Sequence, residues 1–596
     1  MLKIIKRLPA GMVILAIVFV LIQVAAALYL PQVMVDIVNN GVMAGKVDFI
    51  RSRGFLMILL SVCSLAAAIF NTFIFSRLSY KLGSELRSDI FGKALSFSKA
   101  EFDKIGTASL ITRNTNDVTQ VQTLVEMGLK FLILSPCMLF GGIIMTGLLS
   151  PKLALVFLCA VPFLIVSYII IYRFASPLFT KMQKLLDKMN LLFREGLTGA
   201  RVIRAFCKEG SEYEKYRAVN REYTHASVTA GTIMSIFVPL ITMLISLATV
   251  VITWIAGVSV SGGTMQIGAV MGAISYSGQI LMGFGMLTAV ILAIPRGQVS
   301  AKRINEVLDM PVSITDPAAL PEAKTGLSAS GPSLQSLQSL AGGGSSLAGA
   351  ASLTFENVDF RYAGAERKTL EGIAFSVNPG QTLAIIGSTG EGKTTLVNLI
   401  SRLYDVTGGG VKIGGTDVRA MKQSVLHDAI SFSPQKSTLF FGTIRSNMLM
   451  GKPGATDDEI WAALDMAQAT EFVRTLAQGL DSAVEKGGGD FSGGQKQRLC
   501  IARTLIKNAG VYVFDDSFSA LDFKTDSLVR AAMKSKLQGA VTVIVAQRLS
   551  TVMDADLIAV LDGGKLAGLG THEQLEKTNR VYGEIIASQV YKEEAV

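Results

Sequence analysis

Six long apolar stretches constrain this chain more than any other feature of its sequence. Each has about the 20 residues that a helix needs to cross roughly 30 Å of hydrocarbon. Half of the 596 residues are apolar and only 17% are charged, a composition that excludes a disordered chain and a small disulfide scaffold. The sequence therefore predicts an all-α membrane domain with six spanning helices, near residues 11–30, 54–76, 131–149, 153–172, 233–258 and 266–294.

The basic residues between these stretches predict their orientation. With the N-terminus inside the cell, the inner connections 77–130 and 173–232 carry 8 and 11 Lys and Arg residues. The outer connections carry only Lys46, Arg51, Arg53 and Lys152. Cytoplasmic loops of membrane proteins have this basic excess, so the net charge of +10 indicates topology and not nucleic-acid binding. We expect a protein of the plasma membrane with its N-terminus in the cytoplasm.

The two inner connections repeat apolar residues at helical spacing. We expect the spans to continue as helices of about 25 residues in each direction, which gives a stalk of roughly 35–40 Å. Acidic residues are almost absent from the spans, which argues against a proton- or sodium-coupled carrier. The polar candidates at mid-span are Gln23, Asn71 and Gln279. They are interpreted as hydrogen bonds between helices, with substrate contact as the alternative.

Composition predicts three segments along the chain. Residues 1–310 form the transmembrane domain, residues 311–351 form a Ser/Gly-rich flexible linker, and residues 352–596 alternate strand-like and helical runs, as an α/β domain does. The five cysteines are scattered and the three histidines are dispersed. We therefore expect neither a disulfide framework nor a metal cluster of these residues.

A glycine-rich loop in the α/β segment predicts phosphate binding. Residues 387–394 read GSTGEGKT, between a strand-like run and a helical run, which is the context that this loop requires. Backbone N–H groups would surround the phosphates, Lys393 would contact the β- and γ-phosphates, and Thr394 would offer its hydroxyl to Mg²⁺. The candidate nucleotide-binding residues here are Gly387, Ser388, Thr389, Gly390, Glu391, Gly392, Lys393, Thr394 and Thr395.

Two carboxylates follow a second buried strand. Residues 511–516 read VYVFDD, four apolar or aromatic residues and then Asp515 and Asp516. We expect Asp515 to hold Mg²⁺ and Asp516 to lie where a base orients the attacking water. The order of the two motifs predicts a P-loop nucleoside triphosphatase that uses Mg²⁺.

The text FSGGQKQR at 491–498 identifies a resemblance to the ATP-binding cassette (ABC) transporter family. FSGGQ is similar to that family's signature motif, and six spans followed by one cassette resemble an exporter half-transporter. By this resemblance Tyr362 stacks on adenine and Gln435 is the Q-loop glutamine that meets Mg²⁺, while Ser519–Asp522 is the D-loop. The inner-loop texts SLITRNTNDVTQVQ and GARVIRAF resemble bacterial multidrug-exporter halves.

The resemblance also implies a dimer. In this family two cassettes pair head to tail, and each ATP lies between the phosphate loop of one chain and the signature motif of the other. Ser492, Gly493, Gly494 and Gln495 would therefore contact the nucleotide of a partner half-transporter. ATP would hold the pair together, and hydrolysis would let the halves part while the spans alternate between inward- and outward-open states.

Two positions depart from the family pattern. The residue after Asp515 is usually Glu in the family and is Asp516 here, and the usual switch His is Gln547 in the text AQRLST. Asp is shorter by about 1.5 Å, enough to miss a water in a site that works by positioning, and an amide cannot become charged. We therefore predict slow hydrolysis at the site that contains Asp516, Gln547 and Gln435.

The departures point to the degenerate-site subunit of a heterodimeric exporter. Its partner would supply the usual Glu and His, and the substrate would be amphipathic or hydrophobic. Three alternatives stay open at this point: a homodimer that is slow at both sites, a lipid or lipopeptide flippase, and an ATP-gated channel or regulatory subunit. A nucleic-acid partner is not expected, because the basic excess lies in residues 1–351.

Overall fold

The computed structural model describes residues 2–317 and 351–593. These residues form two compact units, the first made of Met1–Leu95 and Ala108–Met310 and the second of Ser96–Thr107 and Pro311–Val596. Residues 318–350, most of the predicted linker, lie outside the described residues. The predicted domain boundaries at 310/311 and 351/352 stay a prediction.

The first unit is helical throughout its described part. Its long helices exceed the predicted spans, because the apolar stretches continue into the charged segments that follow or precede them. The helices up to residue 310 are α1 (Leu2–Ile5), α2 (Ala10–Asp36), α3 (Val47–Leu95), α4 (Lys99–Ile105), α5 (Thr107–Thr112), α6 (Val118–Thr123), α7 (Leu129–Leu149), α8 (Pro151–Thr198), α9 (Ala200–Ala205), α10 (Glu209–Ser261) and α11 (Ile267–Leu308), with π-helical turns at Ile37–Val42, Arg113–Asp117 and Leu124–Gly128. Of these, α4 and the first residue of α5 belong to the second unit.

Five helical stretches of the described residues are long and apolar enough to cross a membrane: Ala10–Val42, Val47–Leu95, Thr107–Leu149, Glu209–Ser261 and Ile267–Leu308. The fourth predicted span lies in α8, whose described apolar stretch Pro151–Ser167 is shorter than the others. Five of the six predicted spans therefore meet the length criterion within the described residues, and the fourth span, near 153–172, stays a prediction. The predicted helical extensions beyond the spans are present in α3, α8 and α10. These helices are 49, 48 and 53 residues long in total.

The polar side chains of the spans bond to neighbouring helices. The Asn71 amide on α3 donates to Gln23 Oε1 on α2 at 2.6 Å, and the Gln279 amide on α11 donates to the backbone oxygen of Ala27 at 2.8 Å. Both bonds satisfy groups that hydrocarbon would leave without a partner. These contacts favour the interpretation as bonds between helices over a role in substrate binding.

The second unit is an α/β domain built on a six-stranded sheet and a smaller antiparallel sheet. The strands are β1 (Leu353–Phe360), β2 (Leu370–Val377), β3 (Thr382–Gly387), β4 (Gly408–Ile413), β5 (Thr416–Asp417), β6 (Ile430–Ser433), β7 (Gly442–Thr443), β8 (Ala483–Val484), β9 (Val511–Asp515), β10 (Val541–Val545), β11 (Leu557–Asp562) and β12 (Lys565–Gly570). The large sheet has the order β12-β11-β3-β10-β9-β6, and the smaller one β2-β1-β4-β5. All pairs in the large sheet are parallel except β11 with β12.

The helices of this unit cover both faces of the large sheet. Along β3, Leu383 and Ile385 belong to the core shared with the small sheet, while Ala384 and Ile386 belong to the core on the other face. A parallel strand buried on both faces reads as a continuous apolar run, as TLAII does here. The helices are α12 (Lys393–Ile400), α13 (Gln423–Ala429), α14 (Ile444–Gly451), α15 (Asp457–Met466), α16 (Thr470–Thr475), α17 (Gly493–Leu505), α18 (Phe523–Lys536), α19 (Leu549–Val552), α20 (His572–Thr578) and α21 (Arg580–Glu593).

Candidate nucleotide-binding site

The phosphate loop joins the end of β3 to the start of α12. Gly390 and Gly392 have φ values of 98° and 90°, in the left-handed region that favours glycine. A Cβ atom on Gly392 would also lie 2.8 Å from Leu370 Cδ2 and 3.1 Å from the backbone oxygen of Thr369. The loop can therefore keep this path only with glycine at position 392. The strand, loop and helix follow one another as the motif predicts.

Lys393 is folded back onto the loop that precedes it. Its Nζ donates to the backbone oxygens of Gly387 and Ser388, both at 2.7 Å. Burial lowers the pKa of the Lys393 ammonium, and nearby carboxylates, Asp516 first, oppose that shift. A buried cation held by neutral carbonyls gains most from an anionic ligand. The arrangement therefore suits Lys393 to bind a phosphate oxygen.

Thr394 and Asp515 form a pair of oxygen donors beside the loop. Thr394 Oγ1 donates to Asp515 Oδ1 at 3.1 Å, and Asp515 is 2% exposed. Burial raises the pKa of Asp515 to about 6, against the hydrogen bond from Thr394. Mg²⁺ prefers hard oxygen ligands and is usually held by one or two carboxylates together with phosphates and waters. As two oxygen donors beside the phosphate loop, Thr394 and Asp515 fit a Mg²⁺ that arrives with ATP.

Asp516 lies one residue beyond β9 and is contacted by two amides. Its backbone has φ 48°, a left-handed conformation that Asp tolerates better than most residues. Gln547 Nε2 donates to Asp516 Oδ2 at 3.2 Å. Burial raises the pKa of Asp516, and the Gln435 side chain beside the carboxylate opposes that rise. The structure thus brings together the three residues that the sequence predicts as catalytic.

An aromatic cluster surrounds Tyr362. Its hydroxyl lies 2.8 Å from Thr395 Oγ1, and its ring meets Phe360 and Tyr404 edge-on. Tyr404 in turn donates its hydroxyl to Asp103 Oδ2 of α4 at 2.6 Å. Tyr362 is therefore placed beside the phosphate-loop helix, and its stacking on adenine stays a prediction.

The signature residues begin α17. Ser492 caps the helix, because its Oγ accepts from Gln495 N at 3.3 Å while Gln495 Oε1 accepts from Ser492 N at 2.9 Å. Each of these two side chains thus bonds the backbone N–H of the other residue and not the phosphate loop. Ser492 and Gly493 are exposed, and Gly494 and Gln495 are partly so. An exposed, capped helix start can accept a ligand from outside the chain.

Comparison with known proteins assigns the chain to a family. Residues 13–284 match the family described as "ABC transporter transmembrane region", and residues 370–519 match the family described as "ABC transporter". An uncharacterized ABC transporter ATP-binding protein of Mycobacterium tuberculosis is 38% identical over 587 residues, which cover 98% of this chain and 96% of that protein. The chain belongs to the ABC transporter family.

Other relatives narrow the type of ABC transporter. A probable multidrug resistance ABC transporter ATP-binding/permease protein of Bacillus subtilis is 29% identical over 84% of this chain and 81% of its own length. The solved structure of a bacterial Atm1-family ABC exporter with ATP bound is 26% identical, with a TM-score of 0.78, and the match covers 97% of this chain and 98% of that one. This ABC protein is thus an exporter-type half-transporter that is embedded in the membrane, and the predicted family and fold class are confirmed.

Sequence reasoning missed two residues that connect the motifs of this ABC cassette. Gln497 on α17 donates to Ser519 Oγ at 3.2 Å and accepts from Ala520 N at 2.9 Å. Arg548 donates to the backbone oxygens of Leu521 and Ser519 at 2.9 and 2.8 Å. The D-loop is therefore held from both sides. The sequence signal for each residue is its position alone. Arg548 directly follows Gln547, and Gln497 lies two positions after Gln495.

Glu391 is a predicted phosphate-loop residue whose contact the motif does not indicate. Its Oε2 accepts from the backbone N of Gly564, in the turn between β11 and β12, at 3.2 Å. The carboxylate therefore connects the phosphate loop to the β11–β12 hairpin at the edge of the large sheet. Nothing in the loop pattern predicts this contact, because position 391 is a variable position of the motif.

Proposed function

We propose that this half-transporter exports amphipathic or hydrophobic compounds in an ATP-dependent cycle, as one half of a heterodimer whose own ATP site is degenerate. The observation that carries this proposal is the contact of Asp516 with the amide of Gln547, beside an intact phosphate loop. The proposal includes the domain boundaries 1–310, 311–351 and 352–596, the nucleotide role of residues 387–395 and Tyr362, and a location in the plasma membrane with the cassette in the cytoplasm.

The contact explains why hydrolysis would be slow while binding is retained. A base that orients water must offer a carboxylate oxygen at the right distance from the phosphate. In Asp516 one oxygen accepts from Gln547, and the side chain is a methylene shorter than the usual glutamate. Binding depends chiefly on other groups, namely Lys393, Thr394 and Asp515, which are in place, with a smaller share from the Gln547 amide. ATP would therefore bind at this site and persist.

Binding of Mg²⁺·ATP would involve the groups already described. Lys393 would exchange its two carbonyl contacts for phosphate oxygens, and Thr394 and Asp515 would hold Mg²⁺ with Gln435. The metal would neutralise charge on the β- and γ-phosphates. Ser492–Gln495 of this chain would complete the partner's site, since the Ser492 and Gln495 side chains cap their own helix and leave its start exposed.

The multidrug type of substrate rests on relatives. The Bacillus subtilis protein is described as a probable multidrug resistance transporter, and the spans of this chain lack the mid-membrane carboxylates that ion-coupled carriers use. Both facts support a hydrophobic or amphipathic cargo that ATP moves.

The test compares the purified chain with the co-purified pair. A candidate partner is a half-transporter encoded next to this chain with Glu and His at the two positions. We expect little ATPase activity from this chain alone and substantial activity from the pair in proteoliposomes. Replacing the partner's Glu with Gln should nearly abolish turnover, whereas Asp516→Ala should reduce it far less. Full transport by this chain alone would contradict the heterodimer.

The same contact favours one alternative from a different class. A chain that binds ATP and hydrolyses it slowly suits an ATP-gated channel or regulatory subunit. Such a protein would conduct substrate or ions down a gradient in the presence of a non-hydrolysable ATP analogue. Uphill vesicle uptake that stops with that analogue supports export and excludes the channel.

A further inference from the structure

The C-terminal helix α21 reaches the switch loop, residues 546–549, of the proposed ATP site. The helix is fixed to the cassette core by Tyr582, which is fully buried, and by Ile585 and Ile586. It packs against α19 and β11. Near its end, Gln589 donates from Nε2 to the backbone oxygen of Gln547 and accepts at Oε1 from Leu549 N, both at 2.7 Å.

These two bonds occupy backbone groups that regular structure leaves open. Leu549 is the first residue of α19, and the first N–H groups of a helix have no partner within it. Gln547 lies between the end of β10 at Val545 and the start of α19. One side-chain amide thus binds a donor and an acceptor two residues apart, as a neighbouring strand would. Only an amide provides both functions at this position.

The switch loop also carries the side chains that line the site. Gln547 donates to the Asp516 carboxylate, and Arg548 donates to the D-loop oxygens of Ser519 and Leu521. The backbone that Gln589 holds therefore determines the positions of the Gln547 and Arg548 side chains. A displaced loop would move the Gln547 amide away from Asp516.

We propose that Gln589 is a positioning residue of the ATP site, and that the C-terminal helix braces the switch loop through its amide. This inference rests on the proposed function, because it takes residues 516 and 547 as parts of a nucleotide site. Gln589 itself touches neither nucleotide nor reacting atoms. It acts through the Gln547 backbone, and its loss should loosen the loop while the helix stays in place.

The experiment uses the full-length chain, purified through a tag from its native host so that any partner comes with it, in lipid nanodiscs. Gln589→Met removes both bonds and keeps the volume and the packing of the stem. Gln589→Glu keeps the acceptor for Leu549 N and removes the donor to Gln547. Ser588→Ala is the matched control, because among the described residues the Ser588 hydroxyl donates only to the backbone oxygen of Ile585 in its own helix.

Hydrogen exchange of peptides spanning 546–552 and 580–588 is the first readout. In Gln589→Met we expect the Leu549 amide to exchange about two- to tenfold faster, the change that corresponds to one hydrogen bond of ordinary net strength. In Gln589→Glu that amide should stay within twofold of the wild type. The peptide 580–588 should be unchanged in all three variants. Equal loosening of 580–588 would mean that Gln589 merely anchors the helix and would overturn the proposal.

Photolabelling of this chain with azido-ATP is the second readout. Both Gln589 variants should raise the concentration for half-maximal labelling about two- to tenfold, and Ser588→Ala should not. Unchanged labelling in Gln589→Met would overturn the brace. Failure of the proposed function looks different, since Lys393→Ala would then leave the labelling of this chain intact whatever residue 589 is.

Discussion

The two halves of the candidate ATP site differ in how closely they keep the pattern of the ABC family. The phosphate-binding half, made of Lys393, Thr394 and Asp515, has every predicted group in contact with the loop or with its neighbour. The hydrolytic half, made of Asp516, Gln547 and Gln435, has a shortened carboxylate already bonded to an amide. We propose that such a site binds ATP and hydrolyses it slowly.

The largest effect is expected in the phosphate-binding half. Lys393→Ala should weaken labelling of this chain by azido-ATP by roughly 100-fold, because the substitution removes a charge-assisted contact to phosphate. Lys412→Ala is the control, since Lys412 pairs with Glu356 on the surface of the small sheet. Intact labelling of Lys393→Ala would show that nucleotide binding lies elsewhere in the chain.

The hydrolytic half should gain activity when the family pattern is restored. The double variant Asp516→Glu and Gln547→His should raise ATP hydrolysis at this chain's site about 10- to 100-fold, because the longer carboxylate reaches the water and the imidazole can carry charge. Hydrolysis is measured in the pair whose partner site has been inactivated. Each single substitution should give less than the double one. A double variant as slow as the wild type would place the cause of slow turnover outside these two residues.

The phosphate-binding half could be predicted from sequence because its residues are local or follow from sheet topology. Gly387 to Thr395 are consecutive, and strands β3 and β9 flank β10 in a parallel sheet, so their carboxyl ends lie at one edge. Asp515 therefore had to lie near the loop. The six apolar stretches were equally predictable, since helix length and hydropathy depend on neighbouring residues alone.

The contacts that surround the site could not be predicted in this way. The Tyr404–Asp103 bond joins residues 301 positions apart, and the Gln589–Gln547 bond joins residues 42 apart. Such bonds depend on the final packing of side chains and leave no periodic pattern in the sequence. The predicted contact of Ser492–Gln495 with a phosphate loop stays a prediction, because in the ABC family that contact forms between two chains.

The pH dependence of Mg²⁺·ATP binding sharpens the role of Asp515. Burial raises the pKa of Asp515 to about 6 from an ordinary 3.8, so the folded cassette holds a proton between about pH 4 and 6 that the unfolded chain has released. The stability contributed by this group therefore decreases as the pH rises through that window. Mg²⁺ needs the ionised carboxylate, so ATP affinity in Mg²⁺ should rise about tenfold from pH 5 to pH 7.5.

Asp515→Asn separates this effect from the titration of ATP itself. The variant should bind Mg²⁺·ATP more weakly at pH 7.5, and its affinity should change less with pH than that of the wild type. Affinities are measured by titration of labelling at several pH values. Parallel pH profiles for the two proteins would mean that the ionisation of Asp515 does not control metal binding.

The smallest expected effect concerns how each half is held. The phosphate-binding half is connected through Tyr362 and Tyr404 to Asp103 on α4, whereas the hydrolytic half is connected through Gln547 to Gln589 on α21. Tyr404→Phe removes a hydroxyl bonded to a carboxylate and should cost about 1–2 kcal/mol of cassette stability, a shift of a few degrees in its unfolding midpoint. Asp103→Asn should cost less, because the amide oxygen can still accept. In the double variant the two costs should not add, and additive costs would show that the hydroxyl and the carboxylate act independently.

Because Tyr404 lies on the phosphate-binding side alone, Tyr404→Phe should leave hydrogen exchange at 546–552 unchanged, and loosening there would mean that the two halves share one support.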